Sequence, residues 1–410
     1  MSTPSFRHIS LLITTTLLAL SLLTNRVYAQ QETPRPKDFH GVWVSTVSNI
    51  DFPSKPGRSA QEMRLEIDQW LDLFQTLRFN AVFLQVRPMG DAYYPSKIYP
   101  WSQFLSGKQG QAPDENFDPL KYWIEQAHAR GIQLHAWINP YRVTIGKRSL
   151  DSLADSNPAK LHPEWTFFHN DRYYLNPGIP EVRKLVVDGI IEIVENYDVD
   201  GIHIDDYFYP ERKIDEDANT FQEYGKDFDN IEDWRRNNVD LFIQETKRAI
   251  DQTNKDVLWS VSPAGIWANK SSHPLGSDTR GNQCYFDLYA DVYTWIKNEW
   301  IDAVIPQIYW EIGYKIADFD VLLKWWSDVV KDVDVKLYVG MAAYRLDPKS
   351  TKEAWQTPEN FKRQLELLDS LEQPDGQVFF TAHSFKNKTM AYELLKQYSE
   401  EHNWKKPEDK

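Results

Sequence analysis

The chain has 410 residues, 41% hydrophobic and 26% charged, enough apolar material for a large core and too much for wholesale disorder. Asp and Glu number 60 against 46 Lys and Arg, a formal charge of −14 that disfavours nucleic-acid backbones and anionic lipid surfaces as partners. The single cysteine, Cys284, excludes an intrachain disulfide framework, a cysteine zinc site and a C-x-x-C redox motif.

Residues 1–29 have the pattern of a secretory leader. Arg7 and His8 form a weakly basic start, residues 9–23 an apolar stretch, and Val27-Tyr28-Ala29 a small-x-small cleavage site. Five Ser and Thr residues interrupt the apolar stretch, which is short for ~30 Å of hydrocarbon, so an uncleaved anchor is the weaker alternative. The expectation is a protein exported to the periplasm or beyond, with no stable membrane insertion after cleavage. Residues 30–38 read as an N-terminal extension, 39–402 as one domain and 403–410 as a frayed tail.

From Gly41 onward a short β-rich run, a loop and a helical pattern alternate. The strands are expected at 41–47, 81–88, 132–140, 201–209, 257–265, 303–310, 336–344 and 376–385. Helical periodicity falls at 62–77, 120–130, 182–197, 234–251, 319–330, 360–371 and 390–400. Eight units in this order predict an α/β fold, a closed (β/α)8 TIM barrel with parallel strands. An open doubly wound sheet would want a Gly-rich turn after the first strand, and HGVWVSTVSN has none. Helix-to-strand connections are tiny, whereas strand-to-helix connections are long: 88–117, 141–178 and 210–227. Long loops crown the C-terminal strand ends, where barrel chemistry sits, and 141–178 is a candidate lid.

Functional candidates are therefore the last inward residues of each strand. Alternation groups Gln85 with Arg87, His135 with Trp137 and Asn139, His203 with Asp205 and Tyr207, and Gln307 with Tyr309 and Glu311. Ser260, Ser262 and His383 complete the set. The sharpest signal is Asp200-Gly-Ile-His-Ile-Asp-Asp-Tyr207, where two carboxylates interrupt an apolar strand at its end. Neighbours on a strand face opposite ways, so Asp205 is expected inward and Asp206 on backbone or an adjacent side chain. Glu311 follows Trp310, whose ring would desolvate it and favour the protonated form of a general acid. With 16 Trp, 21 Tyr and 20 Phe, many in the long loops (Tyr93, Tyr94, Tyr99, Tyr141, Tyr209 and Trp267 among them), the composition suits stacking on pyranose faces.

The segments FHGVWVSTVSNIDFPS (39–54), FNAVFLQVRPMGDAYYPS (79–96), YYLNPGIPEVR (173–183), DGIHIDDYFYP (200–210), DWRRNNVD (233–240) and PQIYW (306–310) resemble the bacterial glycosyl hydrolase-like 10 proteins. The likeness runs over about residues 39–383. It implies an exported TIM barrel, grouped with retaining glycosidases, and a carbohydrate substrate from the bacterial envelope or the diet. By analogy with the α-amylase group, His203-Ile-Asp205 is similar to a strand-four nucleophile two positions after a basic residue, with His in place of Arg.

The leading expectation is a glycoside hydrolase needing no cofactor or metal, in which Asp205 is nucleophile or water-orienting base and Glu311 the acid. Arg87, Asn139, His203, Asp206, Tyr207, Trp267, Gln307, Tyr309 and His383 would bind the sugar. Carboxyls ~5–5.5 Å apart would give retention, ~6.5–9.5 Å inversion. A metal-dependent deacetylase or amidohydrolase using Asp205, Asp206, His135, His203 and His383 is one alternative. The other is a barrel that binds sugar without turnover.

Overall fold

The computed structural model describes residues 37–114 and 117–407. The leader, and the extension up to residue 36, lie outside the described residues. In chain order the strands are β1 (Phe39–Val44), β2 (Ala81–Arg87), β3 (Gln133–Ile138), β4 (Thr166–His169), β5 (Arg172–Leu175) and β6 (Gly201–Ile204). They continue with β7 (Leu258–Val261), β8 (Ala303–Val304), β9 (Lys336–Met341) and β10 (Gly376–Phe379). All but β4 and β5 close into an eight-stranded barrel in the order β1-β10-β9-β8-β7-β6-β3-β2, every pair parallel. The fold is the (β/α)8 barrel that the alternation predicts, with each strand near its expected start.

The helices follow the same agreement. Ala60–Thr76 opens on a capping box, Ser59 and Glu62 each satisfying the other's backbone N–H. Pro119–Ala129, Pro180–Asn196, Ile231–Gln252, Phe319–Val330, Glu359–Ser370 and Met390–Glu401 lie within three residues of their periodic segments. Sequence periodicity misses Val292–Lys297, six residues long, which presents too few turns to show a period. It also misses the antiparallel β4–β5 hairpin inside loop 141–178.

The strands end earlier than their apolar runs. β6 stops at Ile204 and β8 spans two residues, so the stretches after them are loop. The tail also differs: Trp404 is buried and its ring stacks on His40 at 3.7 Å, so chain order extends past 403.

The barrel interior is aromatic rather than aliphatic. Trp43, Phe83, Trp137 and Tyr338 form one buried cluster with Ala81, Ala303, Ile305 and Val378. His135 joins this filling, its ring stacked on Phe83 at 4.5 Å. Its partner in register across β3 and β6 is Gly201, where a Cβ would overlap His135 Nδ1. Gly201→Ala is expected to destabilise the fold by about 1–3 kcal/mol through overpacking, read from the urea unfolding midpoint.

Candidate active site

A cleft of about 260 Å3 opens at the C-terminal ends of the barrel strands. Its walls include Trp43, Gln85, Trp137, Arg142, Asp205, Asp206, Tyr207, Ser262, Gln307, Tyr309 and Phe380. A larger hollow of about 370 Å3 lies in the outer layer, against Asp118, Glu192 and Tyr197. Of the two, the cleft is the one that joins strand ends to titratable groups, which makes it the candidate site.

Asp205 is buried at its centre. Trp137 Nε1 donates to Oδ2 at 3.2 Å, Asn139 Nδ2 to both oxygens at 3.1 and 3.2 Å, and the Tyr207 N–H to Oδ1 at 3.3 Å. Burial pushes the carboxyl up to about 7, against the pull of Arg142 and with Asp206 adding to the rise. All three partners donate, so none of them can accept a proton from Asp205.

Asp206 lines the same cleft. Strict alternation would turn it away, but β6 has already ended at Ile204 and the rule no longer applies. Burial raises its carboxyl too, while a hydrogen bond from Gln307 and the Arg142 charge oppose the rise. Gln307 is itself fixed by donating to the Ser262 carbonyl at 2.9 Å.

The floor is set by His203, fully buried and held neutral well below its ordinary range by burial and by His135. Trp43 Nε1 donates to its Nε2 at 3.1 Å, which places the proton on Nδ1, 2.9 Å from Ser260 Oγ. His203 thus supports Trp43 and Ser262 from beneath and does not itself line the cleft.

Besides His203, four more expected site residues lie elsewhere. Glu311 is not among the cleft walls; its carboxylate accepts from Trp355 Nε1 at 3.1 Å and lies 4.0 Å from Lys352 Nζ. The chain turns away after the short β8, so the alternation that put Glu311 beside Gln307 fails. Arg87 is turned outward by a bulge between Gln85 and Arg87. Its guanidinium packs over Tyr99 at 4.0 Å in the helix layer, while Gln85 faces the mouth and accepts from the Thr46 and Val47 N–H groups. Trp267 is buried, stacked on Trp325 and donating to Asp291. His383 is exposed; its backbone N–H, not its ring, is engaged, by Asp51.

The loop aromatics are corrected likewise: Tyr93, Tyr94, Tyr99, Tyr141 and Tyr209 are buried anchors, and of those singled out only Tyr207 reaches the cleft. The other aromatic walls come from strand ends and the turns directly after them.

Two residues carry no sequence signal as site groups. Arg142 lies three positions after Asn139; its N–H donates to the Asn139 side chain at 3.0 Å and its guanidinium lies 4.4 Å from the Tyr207 ring centroid. Asp51 ties the cleft wall at Ser45 to the turn after Phe380, accepting from Ser45 N, Thr381 Oγ1 and His383 N. Burial lifts its carboxyl to about 6. Among the described residues no group of three or more His, Cys, Asp or Glu side chains could hold a metal ion.

A closed parallel barrel with an acid pair at its mouth defines the class, a TIM barrel. A family model described as glycosyl hydrolase-like 10 matches residues 38–357, and the chain belongs to that family. It is 41% identical over 378 residues to "Glycosyl hydrolase YngK" of Bacillus subtilis, covering 91% of this chain and 72% of that protein. It is 39% identical over 372 residues to "Glycosyl hydrolase DigH" of Escherichia coli K12, covering 85% of this chain and 84% of that one. Among solved structures, the glycoside hydrolase domain of PgaB (BpsB) from Bordetella bronchiseptica superposes with a TM-score of 0.54 at 14% identity, covering 87% of this chain and 98% of that chain. α-L-Fucosidase isoenzyme 2 from Paenibacillus thiaminolyticus does so with 0.54 at 16% identity; the match covers 89% of this chain and about half, 49%, of that longer chain. At these identities the two structures bear on the fold alone.

Proposed function

We propose that the protein hydrolyses O-glycosidic bonds in an oligo- or polysaccharide of the bacterial envelope or environment, working outside the cytoplasm. One observation carries the reading: two consecutive acids, Asp205 and Asp206, share an aromatic-walled cleft at the barrel mouth, and the more buried of them stays protonated up to about pH 7. In this scheme Asp205 gives its proton to the leaving oxygen as the bond to the anomeric carbon breaks. The Asp206 carboxylate, steadied by Gln307, offsets the positive charge that develops on the sugar. A water then adds to the anomeric carbon and returns a proton to Asp205. Acid and base are one group on one face, so the first-formed sugar is expected to keep its configuration.

The acid role thus falls to Asp205 instead of Glu311. The deacetylase reading is not favoured, since His135 and His203 lie within the barrel and His383 is exposed. Export rests on the leader pattern of residues 1–29, and no helix among the described residues is long and apolar enough to cross a membrane. The test is incubation with a panel of polysaccharides and assay for new reducing ends. Product from the native chain, released far more slowly by Asp205→Asn, supports hydrolysis. Sugar binding by calorimetry with no product selects the non-catalytic barrel.

Asp205→Asn also permits a check without any substrate. The unfolded carboxyl ionises near 3.8 and the folded one near 7, so the folded parent holds a proton that the unfolded chain has lost. The parent therefore loses stability as pH rises through that window, and the amide does not. Relative to the parent, Asp205→Asn is expected to gain stability from about pH 4 to about pH 7 and to level off above. A flat difference in urea unfolding across that range contradicts the burial of the charge.

A further inference from the structure

The cleft is small. Its 260 Å3 falls below the roughly 300–1,000 Å3 that enclose a drug-sized ligand, so it holds about one sugar ring and the rest of a chain must lie outside. Just past β9, Tyr344 sits in a short 3-10 turn and is 48% exposed, among the most open large side chains of the described residues. It is not a loose surface residue. Its N–H donates to the Phe380 carbonyl at 3.1 Å, and its hydroxyl accepts from Arg345 Nε at 3.2 Å. The ring meets Tyr309 and Phe380 edge-on, at 6.0 and 5.9 Å between centroids, and both of those residues wall the cleft. The Arg345 guanidinium lies 5.5 Å from the Tyr344 centroid.

The same arrangement recurs on the β6 side, where Tyr207 is 47% exposed and the Arg142 guanidinium lies 4.4 Å from its ring. Two arginine-backed tyrosines thus stand at the mouth, after β6 and after β9, with β7 and β8 between them in the barrel. A half-exposed ring, hydrogen-bonded through its backbone and hydroxyl and packed edge-on against two walls of the cleft, suits the apolar face of a pyranose.

We propose that Tyr344 is the platform of a second saccharide subsite, binding the neighbouring ring of the same glycan whose scissile unit occupies the Asp205–Asp206 cleft. The occupant is neutral or weakly charged sugar, since stacking supplies the contact. Tyr344 acts by holding the chain and takes no part in bond cleavage. The inference rests on the carbohydrate reading above, and its test separates the two.

Cello-, xylo- and chito-oligosaccharides, from disaccharide to hexasaccharide, are titrated calorimetrically into the full protein, and the same mixtures are assayed for products. In the native chain one series is expected to bind more tightly as it lengthens, by about five- to tenfold from stacking of one further ring. Tyr344→Ala is expected to reduce that ratio to about one, whereas Tyr344→Phe, which keeps the ring, retains it. An undiminished ratio in Tyr344→Ala overturns the subsite, as does failure of the native chain to bind any member. Loss of the ratio in Tyr344→Phe as well assigns the effect to the hydroxyl and overturns the stacking platform. A native ratio without products leaves the subsite standing and removes the hydrolase reading.

Discussion

Asp205→Asn is expected to lower the turnover of glycan by about 10²–10⁴-fold, the range usual for loss of a positioned acid–base group. The amide fills the same space, so the loss should fall on kcat more than on KM. The substitution does more than remove a proton. Trp137 Nε1, Asn139 Nδ2 and the Tyr207 N–H all donate to this side chain, and an amide NH2 among them has no acceptor to face. It must turn toward the cleft, where it opposes the leaving oxygen with a donor it cannot give up. Asp206→Asn leaves that donor ring intact and removes the neighbouring negative charge. Its kcat should also fall. In addition, the ionisation of Asp205 should move down, because Asp206 is one of the influences raising it. The alkaline limb of the pH–rate profile, set by loss of the Asp205 proton, moves to lower pH. Full activity of both amide variants, measured as reducing ends released per minute, removes the pair from the reaction.

The second large effect concerns stability. Arg235, on the helix Ile231–Gln252, is buried with Asp217, which follows the β6 loop. Arg235 Nη2 and Nε donate to the two carboxylate oxygens at 2.5 and 2.8 Å, and the fork is completed by the Ile214 carbonyl and by Tyr289. Removing one member strands the other charge in the interior, so Asp217→Ala should destabilise the fold by about 3–5 kcal/mol. Replacing both, as Asp217→Leu with Arg235→Leu, should be less damaging than Asp217→Ala, because no unpaired charge remains. Urea unfolding of the three variants checks the order. This pair anchors the loop running on from Asp205–Tyr207, so Asp217→Ala should also raise KM.

The barrel was legible because its signal is redundant. Eight β-rich runs, short returns and long outward loops each carry the same message, and an error at one strand leaves the count intact. The site was legible only in part, since each side chain depends on one local feature. Asp205, Asn139, Gln307 and Tyr309 reach the mouth as alternation predicts, because their strands or the turns after them keep direction. Arg87 does not, because one extra residue in β2 reverses its face, and nothing in AVFLQVRP announces a bulge. Glu311 does not, because β8 is two residues long where the apolar run suggests eight. Trp267 and the buried tyrosines mislead for a chemical reason: a ring that can stack on sugar packs equally well on helices. Arg142 and Asp51 are invisible for the opposite reason, since their value lies in partners far along the chain.

Asp205 and Asp206 are joined by a single peptide bond directly after β6. Their mutual placement is therefore a property of one short backbone segment, whereas a pair drawn from separate strands would shift with the shear and breathing of the whole cylinder. Insertions in any other βα loop can reshape the walls and the sugar they admit while carrying this dipeptide along unchanged. Conversely, a single substitution there can silence the reaction without disturbing recognition. On the proposed glycosidase reading, a scaffold wired in this way can change its diet readily and turn from enzyme to lectin in one step.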